Sequence, residues 1–274
     1  MKKILAPRSD LIVLVGLLIL CIVPIGAGLW RLHQLAGSPA ITADNARFVA
    51  DPLPAVVHIV SASLFCVFGA FQVARVARRK SIGWHRYAGR AVAPLGIIAG
   101  LSGIWLTLAY WSITRDGPVL FSMRLAAGSA MAACILLGVV RVVRRDLAGH
   151  RAWMLRGYAI GLGAGTQVLT HLPFILLSHA PSQLETTVAM AAGWLINLAV
   201  VERHLRKRDV GSLQPLAPTM TSEPHQAGEE GVCLVVGDSL PVVDAAVQGG
   251  ESKQYDGGYK AQRALEGDRR HTPA

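Results

Sequence analysis

The chain has 274 residues, of which 52% are hydrophobic and only 16% charged, and its mean hydropathy is +0.42. A water-soluble domain carries about a quarter charged residues, so this balance excludes an ordinary soluble fold and points to lipid as the solvent. The formal charge of +10 is unevenly placed: residues 1–208 hold 22 Lys and Arg against 7 Asp and Glu, and residues 209–274 hold 5 against 10. A basic body with an acidic tail fits a membrane protein with a cationic rim, and it excludes nucleic acid as the partner.

About 20 apolar residues in a helix cross the roughly 30 Å hydrocarbon core, because in lipid the backbone must satisfy its own hydrogen bonds. The first such run is Leu11–Trp30, free of charge and preceded by Lys2, Lys3 and Arg8. It is too long for a signal-peptide core and no A-x-A site follows it, so it reads as a retained helix. The next spans run from Pro54 to Ala74, Ala91 to Thr114, Pro118 to Val140 and Gly157 to Ser178. The sixth, Thr186 to Val201, is short and must borrow flanking residues or sit in thin bilayer. The expected fold is thus all-α, a polytopic bundle of six transmembrane helices over residues 1–208.

Loop charges orient the stack. With the N-terminus in the cytoplasm, eighteen Lys and Arg fall on the inner side, among them Arg75, Arg78, Arg79 and Lys80, then Arg141, Arg144 and Arg145. Only Arg31, Arg47, Arg115 and the intramembrane Arg124 fall elsewhere, as positive-inside biogenesis requires. Residues 209–274 lack an apolar period and are rich in Gly, Glu, Asp, Gln and Pro, which predicts a disordered acidic cytoplasmic tail. Its one short apolar run is Val232–Val236. Cys21, Cys66 and Cys134 fall in apolar runs and Cys233 in the tail, with no CxxC spacing, so neither a disulfide nor a cysteine metal site is expected.

The chain also reads as an internal repeat. The stretch from Arg75 to His85-Arg86 aligns with that from Arg141 to His150-Arg151, with one gap at Trp84. Gly96 and Gly100 correspond to Gly161 and Gly165, and His58 corresponds to Arg124. Helices 2–3 and 4–5 would then be two parallel copies of one hairpin over about residues 54–178. Their GxxxG pairs are expected to bring helices 3 and 5 together across the repeat axis.

Several of these segments resemble the DUF2306 family of bacterial predicted membrane proteins. They are His58…Gly69-Ala-Phe-Gln72, Trp84-His85-Arg86-Tyr-Ala-Gly89-Arg90, Gly149-His150-Arg151-Ala-Trp153-Met154-Leu155-Arg156, Gly165-Thr-Gln167…Thr-His171-Leu-Pro173 and Trp194-Leu-Ile-Asn197. The resemblance covers about residues 10–205. It implies a bacterial membrane protein, and with the loop charges the expectation is a multi-pass inner-membrane protein with both termini cytoplasmic. It carries over no catalytic residue, because the family's function is not established.

The histidines are the sharpest candidates for chemistry. The topology puts His85 and His150 at the inner starts of helices 3 and 5, and His58 and His171 in the outer halves of helices 2 and 5. Two intramembrane histidine pairs on a four-helix core suit axial ligation of haem b and transmembrane electron transfer. Arg86 and Arg151 could then meet haem propionates through bidentate guanidinium contacts. The competing reading is structural. His-Arg at a helix start binds lipid phosphate or pins the helix at the interface, and the deeper histidines bond to neighbouring helices.

Arg124 is costly inside a span unless it snorkels outward, the simpler arrangement. If it faces the bundle instead, it would neighbour His58 and bind a small anionic or lipid ligand. Gln72, Gln167 and Asn197 read as hydrogen bonds between helices. P-loop, GxSxG and HExxH signatures are missing, so no soluble-type catalysis is expected. Three function classes remain: a haem electron carrier with an unknown redox partner, a binder or transporter of an anionic or lipid ligand, and a scaffold subunit contacting membrane lipids or another chain.

Overall fold

The computed structural model describes residues 8–37, 39–43, 45–74, 81–111 and 117–212. The expectations for Lys2, Lys3, Arg75, Arg78, Arg79, Lys80 and Arg115, and for the tail beyond residue 212, lie outside the described residues. Among these residues the chain is helical and contains no strand. The helices are α1 (Arg8–Ala36), α2 (Ala46–Ala50), α3 (Leu53–Val73), α4 (Ile82–Ala109), α5 (Gly117–Val143), α6 (Leu147–Gly161), α7 (Gly163–Leu176) and α8 (Gln183–Ser212). Five are long and apolar enough to cross a membrane, and the bent pair α6–α7 makes a sixth. Side chains such as Ile12, Ile19 and Ile22 on α1 or Ile175 and Leu176 on α7 stand exposed. In water each would forfeit burial worth about 25 cal/mol per Å², whereas hydrocarbon accepts them.

Sequence boundaries shift where polar residues continue a helix past the apolar run. Helix α4 starts at Ile82, nine residues before the expected Ala91. Its N-terminus is capped by Ser81, whose Oγ accepts from the Trp84 amide at 3.2 Å. At 28 residues it is about 42 Å long at 1.5 Å per residue, so its first turns project beyond the hydrocarbon. Helix α6 likewise starts at Leu147, capped by Asp146 accepting from the Gly149 amide at 2.8 Å. Outside the membrane-spanning segments, that amide and then the Arg141 guanidinium hold the Asp146 carboxyl below its usual range. Helix α8 extends to Ser212, so residues 209–212 are helical rather than part of a disordered tail.

The expected single helix over 157–178 is instead two, α6 and α7, bent by 42° at Leu162. Small residues permit the break. A Cβ on Gly161 would meet Phe65, and one on Gly163 would meet Trp194. Asn197 of α8 donates its Nδ2 to the Ala159 carbonyl just before the bend, at 3.1 Å, and accepts from Thr166 Oγ1 at 2.7 Å. Backbone at a membrane break needs such partners. Gln167 Nε2 donates to the Met190 carbonyl at 3.1 Å, and Gln72 Nε2 to that of His85 at 3.4 Å. All three polar side chains therefore bond between segments, as read from the sequence.

Contacts close the two ends of the bundle. At one end, the Tyr110 hydroxyl donates to the Asp51 carbonyl at 2.7 Å, and Phe48 meets Tyr110 edge-on at 5.3 Å. At the arginine-rich end, Arg156 makes a two-point contact with Glu202, at 2.5 Å through Nε and 3.0 Å through Nη2, with Trp153 stacked below at 5.0 Å. The core between holds fully buried Phe65 and Ile135, both against Gly96.

Of the matched glycines, Gly96 and Gly161 both lie against Phe65, whereas Gly100 and Gly165 do not act alike. A Cβ on Gly100 would lie 2.9 Å from the Gly128 carbonyl oxygen, and one on Gly128 would lie 2.8 Å from that of Gly100. Gly100 therefore brings α4 against α5. Gly165 instead lets α7 approach the Leu20 carbonyl of α1. The helices expected to meet across a repeat axis do touch, through α4 and α6, but Gly100 and Gly165 serve these two other crossings. The aligned halves thus pack differently, and the duplication is not confirmed as a shared geometry.

Candidate functional site

A cavity of about 470 Å³ lies between the helices, walled by α1 to α8. Its walls are mostly apolar, with Phe65, Met131, Leu162 and Trp194 among them. The charged lining comes from Arg47 of the short α2 and Arg124 of α5, with His58 of α3 beside them. All three belong to the Tyr110–Asp51 end, since His58 lies five residues inside α3 and Arg124 seven residues inside α5. The cavity is thus cationic at one end and apolar beyond it.

Local structure fixes each polar group. Asn45 accepts from the Thr42 amide at 2.7 Å and donates to the Ala40 carbonyl at 2.9 Å, which folds the connection that carries α2. Arg47 and Arg31 stack on Phe48 at 4.7 and 4.4 Å from its ring centre. The Nε of Arg47 is buried without a hydrogen-bond partner. Arg124 Nη2 donates to the Met190 thioether at 3.6 Å. Arg124 therefore faces the cavity, which corrects the expectation that it snorkels outward. His58 donates from Nδ1 to the Ala99 carbonyl at 3.1 Å, with Ser102 Oγ at 3.2 Å, and packs on Gly103.

The other sequence candidates lie elsewhere. His150 points Nδ1 at the Gly138 carbonyl at 2.8 Å, and His171 points Nδ1 at the Gln167 carbonyl of its own helix at 2.7 Å. His85 sits in the first turn of α4, and Arg86 beside it is exposed. Arg151 Nη2 donates to His204 Nε2 at 3.2 Å on the surface. Of the four histidines, only His58 lines this cavity. Among the described residues no cluster of three or more His, Cys, Asp or Glu could hold a metal ion.

Sequence reasoning missed Arg47, Met190 and the Glu202 partner of Arg156. Arg47 had one signal, its place beside Phe48 in a connection otherwise poor in aromatics. The partners of Met190 and Glu202 lie on helices far away in the chain.

The residues that form the site can be set against known proteins. The chain matches DUF2306, described as a predicted membrane protein, over residues 55–204. The chain belongs to the DUF2306 family. That segment covers α3 to α7 and most of α8, and with them His58, Arg124 and Met190, whereas α1 and Arg47 precede it. No curated protein and no solved structure matches this DUF2306 chain.

Proposed function

We propose that this DUF2306 protein binds a small amphiphilic anion, a fatty-acid-like carboxylate or a lipid phosphate, inside the membrane. The observation that supports this most directly is the polarity of the cavity, with Arg47 and Arg124 at one end and apolar walls beyond. A guanidinium binds carboxylate or phosphate at two points, and the low dielectric strengthens the contact. The ligand's tail replaces lipid contacts with wall contacts, and His58 offers a further polar contact at the mouth. In this reading the arginine-rich end faces the cytoplasm of a bacterial inner membrane and the mouth opens on the opposite face.

The test uses detergent-purified protein, dodecanoate and the uncharged dodecanol. Dodecanoate should raise the melting temperature and dodecanol should not. Arg124→Gln should weaken dodecanoate binding at least about tenfold, equivalent to about 1.4 kcal/mol. Equal stabilisation by both compounds, or an unchanged affinity in Arg124→Gln, would refute the reading.

Haem b is a second reading, favoured by one feature. His58, His150 and His171 each present Nδ1 to a backbone carbonyl, which accepts a hydrogen bond from Nδ1–H and so leaves Nε2 as the lone-pair nitrogen of the neutral ring. Ligating histidines are commonly oriented in this way. The ligand reading ranks above it because the cavity draws on His58 alone of the four. Protein purified from haem-replete cells should show a Soret band on the haem reading and none on the ligand reading.

A further inference from the structure

The cavity ends at the same level on three helices. Its lining runs from His58 to Cys66 on α3 and from Phe121 to Met131 on α5, and on α4 it begins at Ala99. One turn nearer the arginine-rich end, Gly96 of α4 and Ile135 of α5 lie in packed core instead. Phe65 and Met131, both buried, form the floor. The Phe65 ring bridges Gly96 of α4 and Gly161 of α6. Met131 reaches the same Gly161, where a Cβ would lie 2.8 Å from Phe65 Cε1 and 3.0 Å from Met131 Cε. The missing Cβ lets the ring and the thioether close the cavity together.

Seven residues separate Arg124 from Met131 on α5 and His58 from Phe65 on α3, a rise of about 10 Å, and the ten from Phe121 to Met131 rise about 15 Å. An extended hydrocarbon chain advances about 1.3 Å per carbon, given a C–C bond of about 1.5 Å. We propose that the cavity measures its ligand, taking single-chain anions of about eight to twelve carbons, with Phe65 and Met131 as the stop. The head group meets Arg124 at the cationic end, and the chain runs down to the floor. A longer chain must push packed side chains aside, which close-packed cores resist. A second chain finds no place, since a cavity of about 470 Å³ is of the size that holds one small ligand. Such a limit presupposes the amphiphilic anion proposed above and sets its chain number and length.

The test uses full-length protein in one detergent, with calorimetric titration of octanoate, decanoate, dodecanoate and tetradecanoate. Each variant is read against the parent at equal chain length, which cancels the partition of ligand into micelles. Met131 is the residue to change, because Phe65 is wedged between two glycines. Met131→Trp raises the floor and should lower the dodecanoate-to-octanoate affinity ratio at least about tenfold. Met131→Ala removes the thioether arm, making room for about two more methylenes, and should raise the tetradecanoate-to-dodecanoate ratio roughly tenfold. Should Met131→Trp fail to fold, Met131→Ala alone decides. Unchanged ratios in the variants, with the parent still binding dodecanoate, would overturn the length limit and leave the amphiphile reading standing. Failure of the parent to bind a carboxylate of any length would sink both. Displacement of dodecanoate by an equal concentration of two-chain dilauroyl phosphatidate would refute the single-chain assignment.

Discussion

Arg156 and Arg124 carry the same charge and meet opposite surroundings. Arg156 is neutralised by Glu202 at two points on the half-exposed rim of the bundle. Exposure discounts such a pair, so Glu202→Gln should lower stability by only about 1 kcal/mol, read as a small drop in melting temperature. Adding Arg156→Gln to it should cost little more, because the pair is already broken. Arg124 meets the Met190 thioether at the cavity, so Arg124→Gln should weaken ligand binding at least about tenfold, read as the loss of dodecanoate-induced stabilisation. The sequence showed Arg124 as an unusual charge inside a span. It could not show which way it faces, because that depends on Met190, a residue on another helix.

Helices were legible where hydrophobicity sets their limits and obscure where capping or packing does. Apolar length located α3 and α5 closely, whereas α1 runs on to Ala36, past the expected Trp30. It missed the early starts of α4 and α6, where Ser81 and Asp146 caps carry the helix through charged residues, and the bend at Leu162, which depends on Phe65 and Trp194 lying against glycines. Glycine packing gives a direct test. Gly100→Val and Gly128→Val force side chains onto facing carbonyls and should cost about 1–3 kcal/mol each. Gly16→Ala and Gly26→Ala meet nothing within 4 Å on α1 and should be close to neutral. Denaturation in mixed detergent micelles compares the four. The α6 cap has a pH signature. The folded carboxyl of Asp146 is held below its unfolded value, so its contribution is present above that unfolded value, about 3.9, and is lost as pH falls through the folded one. The protection of the Gly149 amide, measured against its intrinsic exchange rate at each pH, should therefore fall as pH drops below that unfolded value.

At the scale of the whole molecule, one solvent assignment ties these parts together. Exposed isoleucines and leucines and an apolar-walled cavity that is cationic at one end make sense together only if hydrocarbon surrounds the helices and the arginine-rich end stays on one face. The sequence made this scale plainest, because charge and hydropathy act over whole segments and need no partner to be known. It could not show the cavity, which eight helices build from residues scattered from Leu20 to Trp194. Orientation is read most directly by labelling with a membrane-impermeant maleimide in intact bacterial cells, using a C233S background and single additions Pro181→Cys and Ala148→Cys, both at exposed positions at opposite ends of the bundle. Pro181→Cys should label in intact cells and Ala148→Cys only after permeabilisation. Labelling of both from the same side would contradict the account.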